Sequence, residues 1–291
     1  MIGVRRFWAV WFLLGAASPA QWATERSGAV QLTERLSRWK QEIEAVRAGK
    51  VVLARIYTDK ERNEILLPDD VDERPLLREY FLNPAFVAEF VHMHAANLTL
   101  KRGARWIHFV LLNMARAGEW GDEEEAVIAH EFGHIWLFVN NYPAPAFQGG
   151  ANSCVAIQAG DAVQHVLIRE EMRRRGIDFR PYWINNLRTQ LEALEAAGSE
   201  AFGSLPLCRR MALLTQWVDV LLGLSAASWP DYDRYQAAMA RAFPDLKEEA
   251  AAIAGALEGV ELADLEAYTG ALKTVLERMW SLAQIFSRPA N

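Results

Sequence analysis

The chain has 291 residues, 52% of them hydrophobic and 23% charged, enough to bury a core as one large domain or two smaller ones. A formal net charge of −6 excludes the basic footprint of a nucleic-acid-binding protein, and Arg173-Arg174-Arg175 reads as a solvated helix end. Eleven Trp residues point to extensive aromatic packing or an apolar cleft.

At the N-terminus Arg5 and Arg6 precede an apolar run, Phe7–Ala17, and a small-residue exit, Ser18-Pro19-Ala20. These are the three parts of a secretory signal, with Ala23 as a second cleavage point. The run is shorter than the roughly 20 residues a membrane span needs; an uncleaved N-terminal anchor is the alternative, because the cleavage site is imperfect. The expected location is periplasmic or extracellular. The two cysteines, Cys154 and Cys208, fit one disulfide or two buried thiols.

Val30–Ala48 spaces Leu32, Leu36, Trp39, Ile43 and Val46 as one helical face, and Gly49 stops it. Val51–Thr58 and Glu64–Leu67, separated by Asp59–Asn63, read as a β-hairpin. Pro75 opens a helix over Leu76–Phe81, and Asn83-Pro84 opens another expected to run to about Asn97. His92 and His94 lie in it on different sides, which suits surface or packing roles better than shared ligation. Arg105–Asn113 is the most strand-like run, followed by a loop, Met114–Gly121.

Asp122 then reads as a helix N-cap with Glu125 in the capping-box position, and Glu123 and Glu124 complement the helix dipole. The helix expected from about Glu123 to Val139 carries His130-Glu131-Phe132-Gly133-His134, an H-E-x-x-H pattern. Four residues apart on a helix, His130 and His134 lie one turn above each other on one face. Both imidazoles can then reach one Zn²⁺, with Glu131 beside them to deprotonate a zinc-bound water. Apolar residues surround this trio, as in a helix buried on most sides with a polar site let into it.

Beyond the loop Ala144–Ser153 the pattern is helical: Val155–Arg175, with Gly176 as C-cap, then Ile184–Ala197, Leu205–Leu224, Asp231–Phe243 and Ala263–Phe286. Gly198, Gly203, Trp229-Pro230 and Phe243-Pro244 mark the turns between them, and no strand-like run appears in this half. The expected fold class is α+β and predominantly helical: a small sheet with the active-site helix, plus an all-helical C-terminal layer. The expected division is 1–23 as signal or anchor, 24–176 as catalytic core and 177–291 as helical C-terminal region.

A helical H-E-x-x-H resembles the zincin metallopeptidases, over the strand Arg105–Asn113, the loop, the motif helix and the helix after it. The resemblance implies that Arg105–Asn113 lies at the cleft edge, where an extended peptide adds to it by β-augmentation; a plain core strand is the other reading. Catalytic zinc takes three protein ligands. Leu137 and Asn140 occupy the positions where H-E-x-x-H-x-x-G-x-x-H would put Gly and the third His. Glu170 and Glu171 lack the Asp four residues on that a glutamate-type zincin has. His165 is the preferred third ligand, oriented by Asp161 one turn before it; Asp161 itself, then Glu170 or Glu171, are alternatives. For the oxyanion donor Tyr142, Tyr182 and His108 are equally placed, and none is singled out.

The expected function is zinc-dependent hydrolysis of peptide bonds in a protein or peptide substrate, with Glu131 as general base. A zinc amidase acting on cell-wall peptide, or a helical binding protein with a non-catalytic motif, are the other readings.

Overall fold

The computed structural model describes residues 5–6, 30–47, 49–59, 64–71, 73–145, 153–196 and 205–286. Apart from the Arg5–Arg6 backbone, the expected signal segment lies outside these residues, as does most of the turn between the two hairpin strands. The elements are mostly helical, with one small sheet, so the α+β, predominantly helical class holds. By contacts the chain divides into two compact units, residues 1–140 with 172–186 and residues 141–171 with 187–291.

The first unit is built on the sheet, in the order β1 (Arg5–Arg6), β4 (Ala95–Arg102), β5 (Arg105–Asn113), β2 (Lys50–Asp59), β3 (Glu64–Leu66). β2 and β3 form the expected antiparallel hairpin, whereas β2 and β5 run parallel. β4 and β5 form a second hairpin, turned at Gly103, whose φ of 61° is the left-handed conformation a tight hairpin turn requires.

β4 differs from the expectation, which carried a helix through to Asn97. The helices here are α2 (Arg74–Phe81) and α3 (Pro84–Phe90), and α3 stops five residues before β4 begins. Asn113, whose side-chain nitrogen donates to the carbonyls of Phe90 and Met93, holds the chain in that reversal. β5 differs in its place: with β4 on one side and β2 on the other it is an interior strand, so the expected edge role is ruled out.

Alternation along these strands sorts their side chains between two faces. Ala96, Leu98, Ile107, Phe109 and Leu111 join Leu77, Phe86 and Phe90 in one apolar cluster under α2 and α3. Burying each such Phe stabilises the fold by about 1.5–3 kcal/mol, against about 0–1 kcal/mol for an exposed ion pair such as Arg38–Glu34. The opposite face presents Asn97 and Thr99, and there β4 and β5 pack against α5 (Glu124–Val139). α1 (Glu34–Arg47) covers α5, with Trp39 set edge-on to Phe132 at 6.1 Å.

α5 starts without the expected cap: no side chain caps its first turn, because the Glu125 carboxylate is taken by Thr33 at 2.5 Å and Arg35 at 2.7 Å. Glu124 likewise pairs with Arg55 at 2.8 Å. The acidic first turn therefore still meets the positive helix end, while its carboxylates tie the helix to α1 and β2. Between β5 and α5 the expected loop is a 3-10 turn, Met114–Arg116, followed by the short helix α4 (Ala117–Trp120).

The second unit is helical among its described residues. α6 (Ser153–Arg174) runs to Gly176, whose φ of 70° ends it as expected, and its last turn from Met172 belongs to the first unit. α7 (Arg180–Ala196), α8 (Leu207–Gly223), α9 (Tyr232–Ala242) and α11 (Leu265–Phe286) follow the sequence pattern. α10 (Pro244–Leu257) was not anticipated: Pro244 sits in its first turn, where proline starts a helix rather than stopping one. Cys154 and Cys208 form a disulfide that joins the first turns of α6 and α8. Among the described residues no helix is long and apolar enough to cross a membrane.

Candidate metal centre

α5 is buried on nearly all sides, so its polar trio is enclosed by the helix's own surroundings. His134 is fully buried, Glu131 is 2% exposed and His130 is half-buried. The one-turn spacing brings the Nε2 atoms of His130 and His134 to 3.2 Å. Two nitrogens about 2.0–2.1 Å from a tetrahedral zinc lie about 3.3–3.4 Å apart, so the separation fits shared ligation.

Glu131 is fixed from the sheet. Asn97 donates from Nδ2 to Glu131 Oε2 at 2.5 Å. Asn97 stands opposite Val110 in the β4–β5 register, on the face turned to α5.

His165 on α6 has its Nδ1 2.7 Å from Asp219 Oδ2 on α8. Arg169, one turn further along α6, donates to the other oxygen of Asp219 at 2.6 Å. Burial opposes charging of His165, but Asp219, and Asp161 at longer range, outweigh it and raise its pKa above the usual imidazole value. Asp219 is held low by His165 and Arg169 despite its own burial. With Nδ1–H given to a carboxylate, Nε2 is the atom positioned to ligate, in the arrangement that orients metal-bound imidazoles.

His130 and His134, on α5, lie in the first unit and His165, on α6, in the second; each offers an imidazole nitrogen to a metal ion. The carboxylate at Nδ1 is Asp219, which the sequence reading did not single out; Asp161 contributes only longer-range charge there. The signal for Asp219 was an acid inside the apolar run Leu213–Leu222, since a buried carboxylate needs partners. Asn97 gave no such signal.

The three oxyanion candidates separate. Tyr142 donates its hydroxyl proton to the Ala263 carbonyl at 3.0 Å. His108, fully buried, is 2.9 Å from the Thr99 hydroxyl directly across the hairpin, with its ring against Phe138. Tyr182, in the first turn of α7, is bonded to His94. Comparison with family models, curated proteins and solved structures gave no match.

Proposed function

We propose that this chain is a zinc-dependent metallopeptidase that hydrolyses peptide bonds. The observation that carries the reading is the α5 half-site: two Nε2 atoms 3.2 Å apart, with a carboxylate between them in sequence pinned by a sheet residue. His130, His134 and His165 are the residues that would hold the metal, a neutral three-imidazole set of the kind catalytic zinc uses. When bound, zinc supplies Lewis acidity that polarises a carbonyl and makes water more acidic.

The chain's residues do the rest. Glu131 takes the proton of the attacking water at its carboxylate and delivers it to the nitrogen of the departing amine. Asn97 keeps that carboxylate in one orientation, and Asp219 holds the His165 ring with Nε2 turned away from it. An exported location agrees with the Cys154–Cys208 disulfide, since such bonds persist in oxidising compartments.

The purified chain is expected to carry one equivalent of zinc and to cleave casein, with activity lost to a chelator and restored by zinc. Protein with no zinc after purification in chelator-free buffer, and none taken up on addition, would sink the reading. Asp219→Asn is expected to weaken zinc binding by about 10–100-fold at pH 8. In the wild type, the raised pKa of His165 makes protons compete for Nε2 from a higher pH than for an ordinary histidine. Zinc affinity therefore falls on acidification, and a competition titration against a chelator over pH 5–8 reads both effects. Unchanged affinity in Asp219→Asn would remove Asp219 from the centre.

A further inference from the structure

Two links join α6 to α8 within the second unit, and they share one spacing. Cys154 and Cys208 are the second residues of the two helices and lie 54 apart in sequence. His165 and Asp219, further along the same helices, also lie 54 apart. Equal separations mean that α6 and α8 run in the same direction, with no relative shift between the disulfide and the His165–Asp219 pair. The two links are about three turns, or about 16 Å, from each other along one facing stripe. Between them Thr215 of α8 donates its hydroxyl proton to the Gln158 carbonyl of α6 at 3.0 Å.

One turn beyond His165, Arg169 competes for the same carboxylate. It donates to Asp219 Oδ1 at 2.6 Å while His165 Nδ1 is 2.7 Å from Oδ2. A guanidinium pairs best with a carboxylate through two parallel hydrogen bonds, one to each oxygen. Arg169 reaches that arrangement when the carboxylate moves along α6, away from His165. Packed helices take such alternatives as discrete steps rather than by continuous deformation. The disulfide opposes the step, because it fixes where α8 stands along α6.

We propose that oxidation of Cys154 and Cys208 sets Asp219 on His165, so that the metal centre is completed only after the chain has met a disulfide donor. This rests on the reading of His165 as a zinc ligand. Cys208 is exposed and Cys154 half-buried, so Cys208 is the sulfur a donor reaches. A first-turn position makes a thiol more acidic and supplies the attacking thiolate. The Cys208 thiolate attacks one sulfur of the donor's S–S bond, which breaks and releases one donor thiolate. The Cys154 thiolate then attacks the Cys208 sulfur of the mixed disulfide; the internal bond forms and the second donor thiolate leaves. The cysteines lose two electrons, the donor gains them, and the two cysteine protons end on the donor's thiols. The result is a hydrolase whose site is incomplete in thiol-reducing surroundings and complete where disulfides persist.

In the zinc-free, oxidised full chain, the Nδ1–H proton of His165 should give an NMR signal shifted downfield by its hydrogen bond. The signal should vanish on reduction with a phosphine, return with oxidised glutathione, and be missing when Cys154→Ser and Cys208→Ser are combined. The indole N–H of Trp217, which donates to Gln236 at 2.6 Å from the same α8, is the control for folding and should keep its shift throughout. The serine pair has no thiols of its own to hold zinc, and its zinc affinity should be about 10–100-fold below that of the oxidised wild type. A His165 signal that survives reduction would overturn the proposal, as would wild-type zinc affinity in the serine pair. Loss of the Trp217 signal together with that of His165 would also overturn it, because the bond would then support the whole unit. Oxidised protein that shows the redox-dependent signal but takes up no zinc would sink the metal reading alone and leave the redox-set pairing of His165 and Asp219 standing.

Discussion

Glu131→Gln is expected to bind zinc like the wild type and to lose about 10²–10⁴ in kcat, the contribution of a positioned general base. A glutamine there fills the same space and still offers an oxygen to the Nδ2 of Asn97, which donates to Glu131 in the native chain. The fold and the spacing of the flanking histidines should survive, so the lost quantity is proton acceptance alone. Zinc content by emission spectrometry and turnover of a fluorogenic peptide give the two readouts. A variant that keeps more than about a tenth of wild-type kcat would show that Glu131 is not the base. One that loses zinc as well would show that the side chain acts on the metal site rather than on water.

The second large effect concerns the Cys154–Cys208 bond. Replacing both cysteines by serine is expected to cost about 4 kcal/mol, the loop-closure entropy for a sequence separation of 54. Serine leaves two small polar side chains with little steric change, so most of the loss arises in the unfolded chain. The bond sits in the first turns of the helices that carry His165 and Asp219. Zinc affinity should therefore fall together with the urea midpoint in the serine pair. An unchanged midpoint would show that the bond contributes nothing to the native state, and an unchanged affinity that the two helices are held by their packing.

The motif helix was legible because its evidence was local. The spacing of His130 and His134, the acidic first turn and the following polar stop all lie within twenty residues. β5 was legible as a strand from its apolar run, but its neighbours were not. Ala95-Ala96-Asn97-Leu98 carries good helix formers and one β-branched residue nearby, Thr99, so propensity pointed away from the pairing that tertiary contacts impose. Missing β4 placed β5 at an edge and hid Asn97. α10 was missed for a different reason, because Phe243-Pro244 reads as a stop when the proline can equally occupy a first turn.

The candidate site divides in the same way. His130, Glu131 and His134 follow from spacing, and His165 from a polar residue on an apolar helix face. Asp219 lies 54 residues from His165, and Tyr182 lies 88 from His94. No periodicity connects residues at such separations. Only their cost when buried alone marks them, and that identifies a residue needing partners without naming the partners.

Chain order has a consequence for making this protein in pieces. The first unit is interrupted after Asn140 and completed only by residues 172–186, while the second begins inside that interruption. No single cut separates the two. A fragment ending at Asn140 would retain the sheet and the motif helix but lack Tyr182, leaving His94 without its partner in α7. During synthesis the first unit stays unfinished until residue 186 has emerged, by which point α6 is already made. Expression trials of isolated halves should accordingly yield insoluble or labile N-terminal products, and limited proteolysis should nick the native protein without releasing either unit intact.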